Sequence, residues 1–160
     1  MKQISVPPGA LKFRLVLTVF LVIILILVFF NYTNRISVAI EKTSIQQTKN
    51  IINSSLVVVF ATYAAKGELD GLNELNGGNP FIYLAENDLT PTSYQGEIRT
   101  ENLDDIDPGW YYDKTDKKVI YKSYYDDQVY IYSIVLDYKD VNGSGRFESG
   151  IDDYQRLYFR

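Results

Sequence analysis

The residues best spaced for chemistry lie near the C-terminus, in the run Asp140-Val-Asn142-Gly-Ser144-Gly145-Arg146-Phe-Glu148. Oxygen-bearing side chains stand at the first, third and fifth positions, Gly at the sixth and Glu at the ninth. A calcium loop of the EF-hand kind distributes its ligands in this way, because the hard cation takes about six to eight oxygens from one short segment. The expected set is the side chains of Asp140, Asn142, Ser144, Glu148 and Asp152, with Arg146 contributing its backbone carbonyl. Position twelve of such a loop is Ile151, so the late carboxylate falls one residue on, at Asp152. The competing reading is a plain strand-to-strand turn, since Asn-Gly is itself a hairpin signal. If calcium binds, it clamps the sheet and catalyses nothing.

Little else in the sequence offers reactivity. The 160 residues contain no cysteine and no histidine. That removes thiolate nucleophiles, Cys- or His-ligated metals and the Ser-His-Asp arrangement. The pairs Asp104-Asp105, Asp126-Asp127 and Asp152-Asp153 suggest general acid–base work, but adjacent side chains diverge, and solvated loop charges are the expectation. Fourteen tyrosines alternate through apolar stretches, as half-buried sheet residues do. No P-loop, dinucleotide fingerprint or nucleophile elbow is present, and the chain reads as a non-enzyme.

The elements that would hold such a loop begin with an apolar segment. Leu15 to Phe30 is interrupted only by Thr18. A helix needs about 20 apolar residues to cross a bilayer, and Ala10, Leu11, Phe13 and Tyr32 extend this run. No Ala-x-Ala site follows it, so an uncleaved anchor is expected rather than a signal peptide. Lys2, Lys12 and Arg14 precede the span and Arg35 follows, which places the N-terminus in the cytoplasm by the positive-inside rule. From Lys66 to Arg160, ten basic and nineteen acidic residues give a net charge of −9. An acidic body argues against nucleic acid as a partner.

Residues 31–65 hold no Pro or Gly, and Gly67 is the first helix stop. Ile52, Leu56, Val59, Phe60 and Tyr63 fall on one helical face. One helix is therefore expected from about Ala10 to Ala65, with a solvated middle and a packed end. Residues 67–109 read as an irregular connection with one short helix at Pro80–Leu84. Four strands follow, at 110–112, 118–124, 129–138 and 154–160, as an antiparallel meander. The expected fold is α+β, a long N-terminal helix packed on a four-stranded antiparallel sheet. The divisions are residues 1–14, a transmembrane segment 15–32, a continuing helix 33–66 and an outer domain 67–160.

An anchor helix that runs into a soluble α+β head is the plan of type IV pilins and type II secretion pseudopilins, and several stretches resemble that family. Gly78-Asn79-Pro80-Phe81-Ile82-Tyr83-Leu84 is similar to the Gly-x-Asn-Pro-x-x-x-Leu element of its αβ loop. Tyr94-Gln95-Gly96-Glu97 is similar to the Tyr-x-Gly step after it. Pro108-Gly109-Trp110-Tyr111-Tyr112-Asp113, followed by Val119-Ile120-Tyr121, resembles the first hairpin of pilin-like heads. Prepilin peptidase cuts after a Gly that precedes an aromatic residue, with Glu at the fifth mature position. Here Gly9 is followed by Ala10, and the fifth position is Arg14. The resemblance therefore implies a pilin-like accessory protein with an uncut anchor, in a type IV pilus of the mannose-sensitive haemagglutinin (MSHA) type. It implies a Gram-negative inner membrane, a periplasmic head, and contacts with the lipid bilayer, major and minor pilins and inner-membrane pilus assembly proteins. A minor pseudopilin of type II secretion shares the plan. A membrane-anchored periplasmic sensor or binding domain unrelated to pili is the reading from a different class.

Overall fold

The computed structural model describes residues 8–99 and 106–160. One helix, α1 (Pro8–Lys66), opens the chain. It ends as Gly67 predicts. Gly67 takes φ +70°, its N–H donates to the Ala64 carbonyl (3.1 Å), and the Glu68 N–H reaches back to Tyr63 (3.0 Å). This pair of bonds satisfies carbonyls that the last helical turn would leave open, and the left-handed residue suits only Gly without strain.

The chain falls into two compact units, Met1–Ile40 and Glu41–Arg160. In the first, every large apolar side chain from Phe13 to Phe30 is at least 41 % exposed. One helix near the N-terminus is thus long and apolar enough to cross a membrane. Lipid is the solvent in which such a surface carries no hydrophobic penalty. Thr18, the one polar residue in the run, donates its hydroxyl to the Arg14 carbonyl (2.9 Å), so it brings no unpaired donor into that environment.

In the second unit α1 buries Glu41, Ile45, Thr48, Ile52 and Leu56, and Val59, Phe60 and Tyr63 pack partly against the same core. Their three- and four-residue steps make one stripe. Packing therefore starts at Glu41, earlier than the solvated middle expected from the sequence. Val57 and Val58, β-branched and open to a strand reading, are helical and 64 % exposed.

A 3-10 turn (Leu69–Gly71), α2 (Leu72–Leu75) and α3 (Pro80–Ala85) follow α1, then β1 (Tyr94–Ile98), β2 (Gly109–Asp113), β3 (Lys118–Lys122), β4 (Val129–Tyr132), β5 (Ile134–Lys139) and β6 (Asp153–Phe159). The fold is α+β, but the sheet is not the expected antiparallel meander. Strands β1-β2-β3-β4 form one mixed sheet in which β1 lies parallel to β2. Strands β5 and β6 form a separate antiparallel pair. Two causes account for the difference. The strand β1 hides in a Pro- and Gly-rich stretch, where Gly96 at φ +111° sits at a register shift against β2. The run 129–138 changes partner at Ser133: the ladder with β3 ends at the Val119–Tyr132 pair, and Lys118, the remaining residue of β3, is matched with Asp113 on β2. Ser133 exchanges both backbone bonds with Arg160 (2.9 and 3.1 Å), and β5 continues on β6.

Side-chain amides tie the pieces together. Asn53 on α1 accepts from the Phe159 N–H (2.8 Å) and donates to its carbonyl (3.3 Å). Asn73 on α2 does the same to Phe147 (3.0 and 2.7 Å). Each replaces a missing ladder neighbour for a backbone that no strand covers.

Candidate functional sites

The loop between β5 and β6 brings the six expected calcium ligands into one segment. The Asp140 carboxylate accepts the backbone N–H groups of Gly143 (2.7 Å), Ser144 (3.2 Å) and Gly145 (2.8 Å). Gly143 and Gly145 take φ +74° and +73°, and this left-handed backbone turns successive N–H groups toward one carboxylate. These bonds, Gly145 first, hold the Asp140 carboxyl below the ordinary aspartate range. Asn142 accepts from the Ser144 N–H (3.0 Å) and donates to Glu148 (3.0 Å). The Ser144 hydroxyl donates to the Arg146 carbonyl (2.9 Å). Asp152, only 8 % exposed, accepts from Val141 (2.8 Å) and from Glu148 (2.8 Å), closing the base of the loop. Asn73 and Asp70 fasten the loop to the helical segment, the latter through the Ser149 N–H (2.6 Å).

Each expected ligand residue thus already has an oxygen that meets a protein donor. As it stands the loop is a self-satisfied turn, held by its own backbone and side-chain donors. Among the described residues no group of three or more His, Cys, Asp or Glu is placed to hold a metal ion. Of the acid pairs, Asp152 is buried just before β6 and Asp153, its first residue, is exposed, so the two diverge. Asp126 lies beside Ser123, its carboxylate accepts the Gln128 N–H (3.2 Å), and its pKa is lowered, while Asp127 faces solvent at φ +52°. Asp104 and Asp105 lie outside the described residues.

The family-like stretches meet at a second place. Pro80 opens α3 and restricts Asn79 to extended backbone (φ −81°, ψ 108°), the conformation a helix cap needs. The Asn79 carbonyl oxygen accepts from the Phe81 N–H (3.0 Å). Its amide donates to the Tyr94 hydroxyl (3.2 Å) and to Glu97 (2.9 Å), both on β1. Glu97 pairs with Lys114, and this contact, then Asn79, lowers its pKa. Phe81 stacks on Tyr94 at 4.1 Å between ring centres and meets Trp110 at 6.0 Å. Burial raises the Tyr94 pKa. Gly109 takes φ +141°, and a Cβ there would lie 2.6 Å from the Ser93 carbonyl, which receives the Trp110 N–H (2.8 Å). The Tyr112 hydroxyl donates to Gly77 (2.8 Å). These stretches therefore build one aromatic core and its cap.

A groove of about 410 Å³ runs beside α1 and α3, lined by Ile51, Ser54, Ser55, Val58, Tyr83 and Leu89 among others. The tip of the β3–β4 hairpin presents Tyr124 and Tyr125, each 51 % exposed.

Glu41 is the residue that the sequence reading passed over. It is 7 % exposed and accepts from the Tyr121 hydroxyl (2.8 Å), the Ser123 hydroxyl (2.6 Å) and the Tyr124 N–H (2.7 Å). A signal was available: Glu41 is the only acid in the first 67 residues, and it stands in step with Ile45, Thr48 and Ile52. Compared with models of known protein families, with curated proteins and with solved structures, the chain finds no match.

Proposed function

We propose that this chain is a membrane-anchored, pilin-like accessory protein of a type IV pilus of the MSHA type, acting by protein–protein contact and not by catalysis. One observation carries the reading. A single helix, Pro8–Lys66, supplies both an apolar span and the packing stripe of an α+β unit. In that unit the Gly-Asn-Pro, Tyr-x-Gly and Gly-Trp-Tyr-Tyr stretches converge on one core. The basic residues before the span support a cytoplasmic N-terminus and a periplasmic head. The span would meet partner helices in lipid by close van der Waals packing, because lipid removes the hydrophobic drive between them. The groove beside α1 and the exposed hairpin tip supply contact area for major and minor pilins or for assembly proteins of the inner membrane. Calcium at the 140–152 loop, through Asp140, Asn142, Ser144, the Arg146 carbonyl, Glu148 and Asp152, is a structural clamp within this proposal.

Surface filaments sheared from cells, and the inner membrane left behind, are blotted for this protein. Full-length protein in the membrane that cross-links to pilus components is the expected result. A form cut after Gly9 and present in the filament would make it a structural minor pilin. A deletion strain with unchanged piliation and attachment would overturn the pilus assignment.

A further inference from the structure

We infer that Glu41 is a latch that couples the seating of α1 in the head to the conformation of the β3–β4 hairpin tip, residues 123–128. The carboxylate is nearly enclosed, and its three donors are all uncharged: the Tyr121 and Ser123 hydroxyls and the Tyr124 N–H. A buried carboxylate needs this many donors, since nothing else replaces the water it has lost. The Ser123 hydroxyl then works twice. It gives its proton to Glu41 and accepts the N–H groups of Tyr125 and Asp126 (both 3.2 Å). Glu41 therefore sets the direction of the Ser123 hydroxyl, and that hydroxyl sets the turn. The turn also contains Asp127 at φ +52°, a conformation that opposes the intrinsic preference of a non-Gly residue and persists only when its surroundings hold it.

The coupling runs in both directions. The tip contributes two of the three bonds that hold the Glu41 side chain and the end of β3 the third, and Glu41 is where packing of α1 against the head begins. Burial, and then the bond to Glu41, push the Tyr121 phenol far above its ordinary range, so it remains a donor at every physiological pH. Release of the helix at residue 41 must free the tip, and release of the tip must free the first turns of the helix in the head. What the latch holds in place is the exposed pair Tyr124 and Tyr125, whose rings lie 6.5 Å apart, beside Asp126 and Asp127.

Amide hydrogen exchange on the full-length protein in detergent micelles tests this. Glu41→Gln keeps the shape but turns one oxygen into a donor, which faces hydroxyls already committed to donating. The expected result is exchange at 123–128 at least tenfold faster, with β1 and β2 unchanged. The reciprocal variant, Tyr121→Phe with Ser123→Ala, should speed exchange at 41–48 by a similar factor. Should Glu41→Gln fail to fold, the reciprocal variant decides alone. Exchange within twofold of the parent at 123–128 and at 41–48, or an equal increase across the whole head, would overturn the latch.

Discussion

Replacing Asn79 tests whether the aromatic core is held from one side chain. In Asn79→Ala three bonds go. The cap on the Phe81 N–H contributes about 1 kcal/mol. The bond to the Tyr94 hydroxyl contributes about 1 kcal/mol net. The bond to Glu97 contributes about 0.5 kcal/mol, since that carboxylate is one-third exposed and already paired with Lys114. Asn79 is buried at 7 %, so water does not replace these partners. The loss should total roughly 2–3 kcal/mol, a fall in Tm of about 6–12 °C for a unit of this size. Asn79→Ser keeps the cap and loses only the two links to β1, so it should fall about midway. Asn79→Asp keeps the cap but sets a second carboxylate against Glu97, and it should be no better than Ala. Trp110, the only tryptophan and 1 % exposed, reports unfolding by fluorescence during urea titration in detergent. If Ser is as costly as Ala, the cap contributes nothing. If Ala lies within about 0.5 kcal/mol of the parent, the cluster is not held through Asn79 and the reasoning fails.

Other outcomes follow from the same geometry. Millimolar calcium should raise the Tm, and at 100 times the dissociation constant the gain is about 2.7 kcal/mol; Asp140→Ala should abolish the shift, and no shift in the parent would remove calcium from the proposal. Glu97 and Asp140 both have pKa values lowered in the folded state, by Lys114 and by the Gly145 N–H respectively. Their stabilisation is complete above the ordinary values of 4.5 and 3.8 and is lost as pH falls through the lowered ones. Carboxylate carbon shifts in NMR should place the Asp140 midpoint below 3.8, and a midpoint at or above that value would contradict the bonding seen in the loop. Gly109→Ala should cost about 2–3 kcal/mol by urea titration, because its Cβ meets the Ser93 carbonyl and its φ is strained; a neutral result would mean the β1–β2 crossing relaxes freely.

What could be read from the sequence depended on whether the cause was local. The long apolar helix, the Gly67 stop and the stripe from Ile52 to Tyr63 each rest on a few adjacent residues, and each is present. The helix at Pro80 follows from Asn79 and Pro80 alone. The strand β1 and the change of partner at Ser133 depend on what lies alongside in space. Tyr94–Ile98 has the exposure alternation of a half-covered strand, yet Gly96 and the nearby Pro91 carry loop signals. Val129–Tyr138 reads as one strand because strand propensity continues through Ser133, whereas the change of neighbour there from β3 to β6 is set by what lies alongside in space. Glu41 shows the same division more sharply. A lone acid on a polar helix is ordinarily a solvated charge, and only the arrival of Tyr121 and Ser123 from 80 and 82 residues away makes it a buried one. The calcium-like spacing at 140–148 was visible because it is local. Its present use as a cage of backbone hydrogen bonds was not visible, because the Asx pattern that holds a cation also holds itself closed.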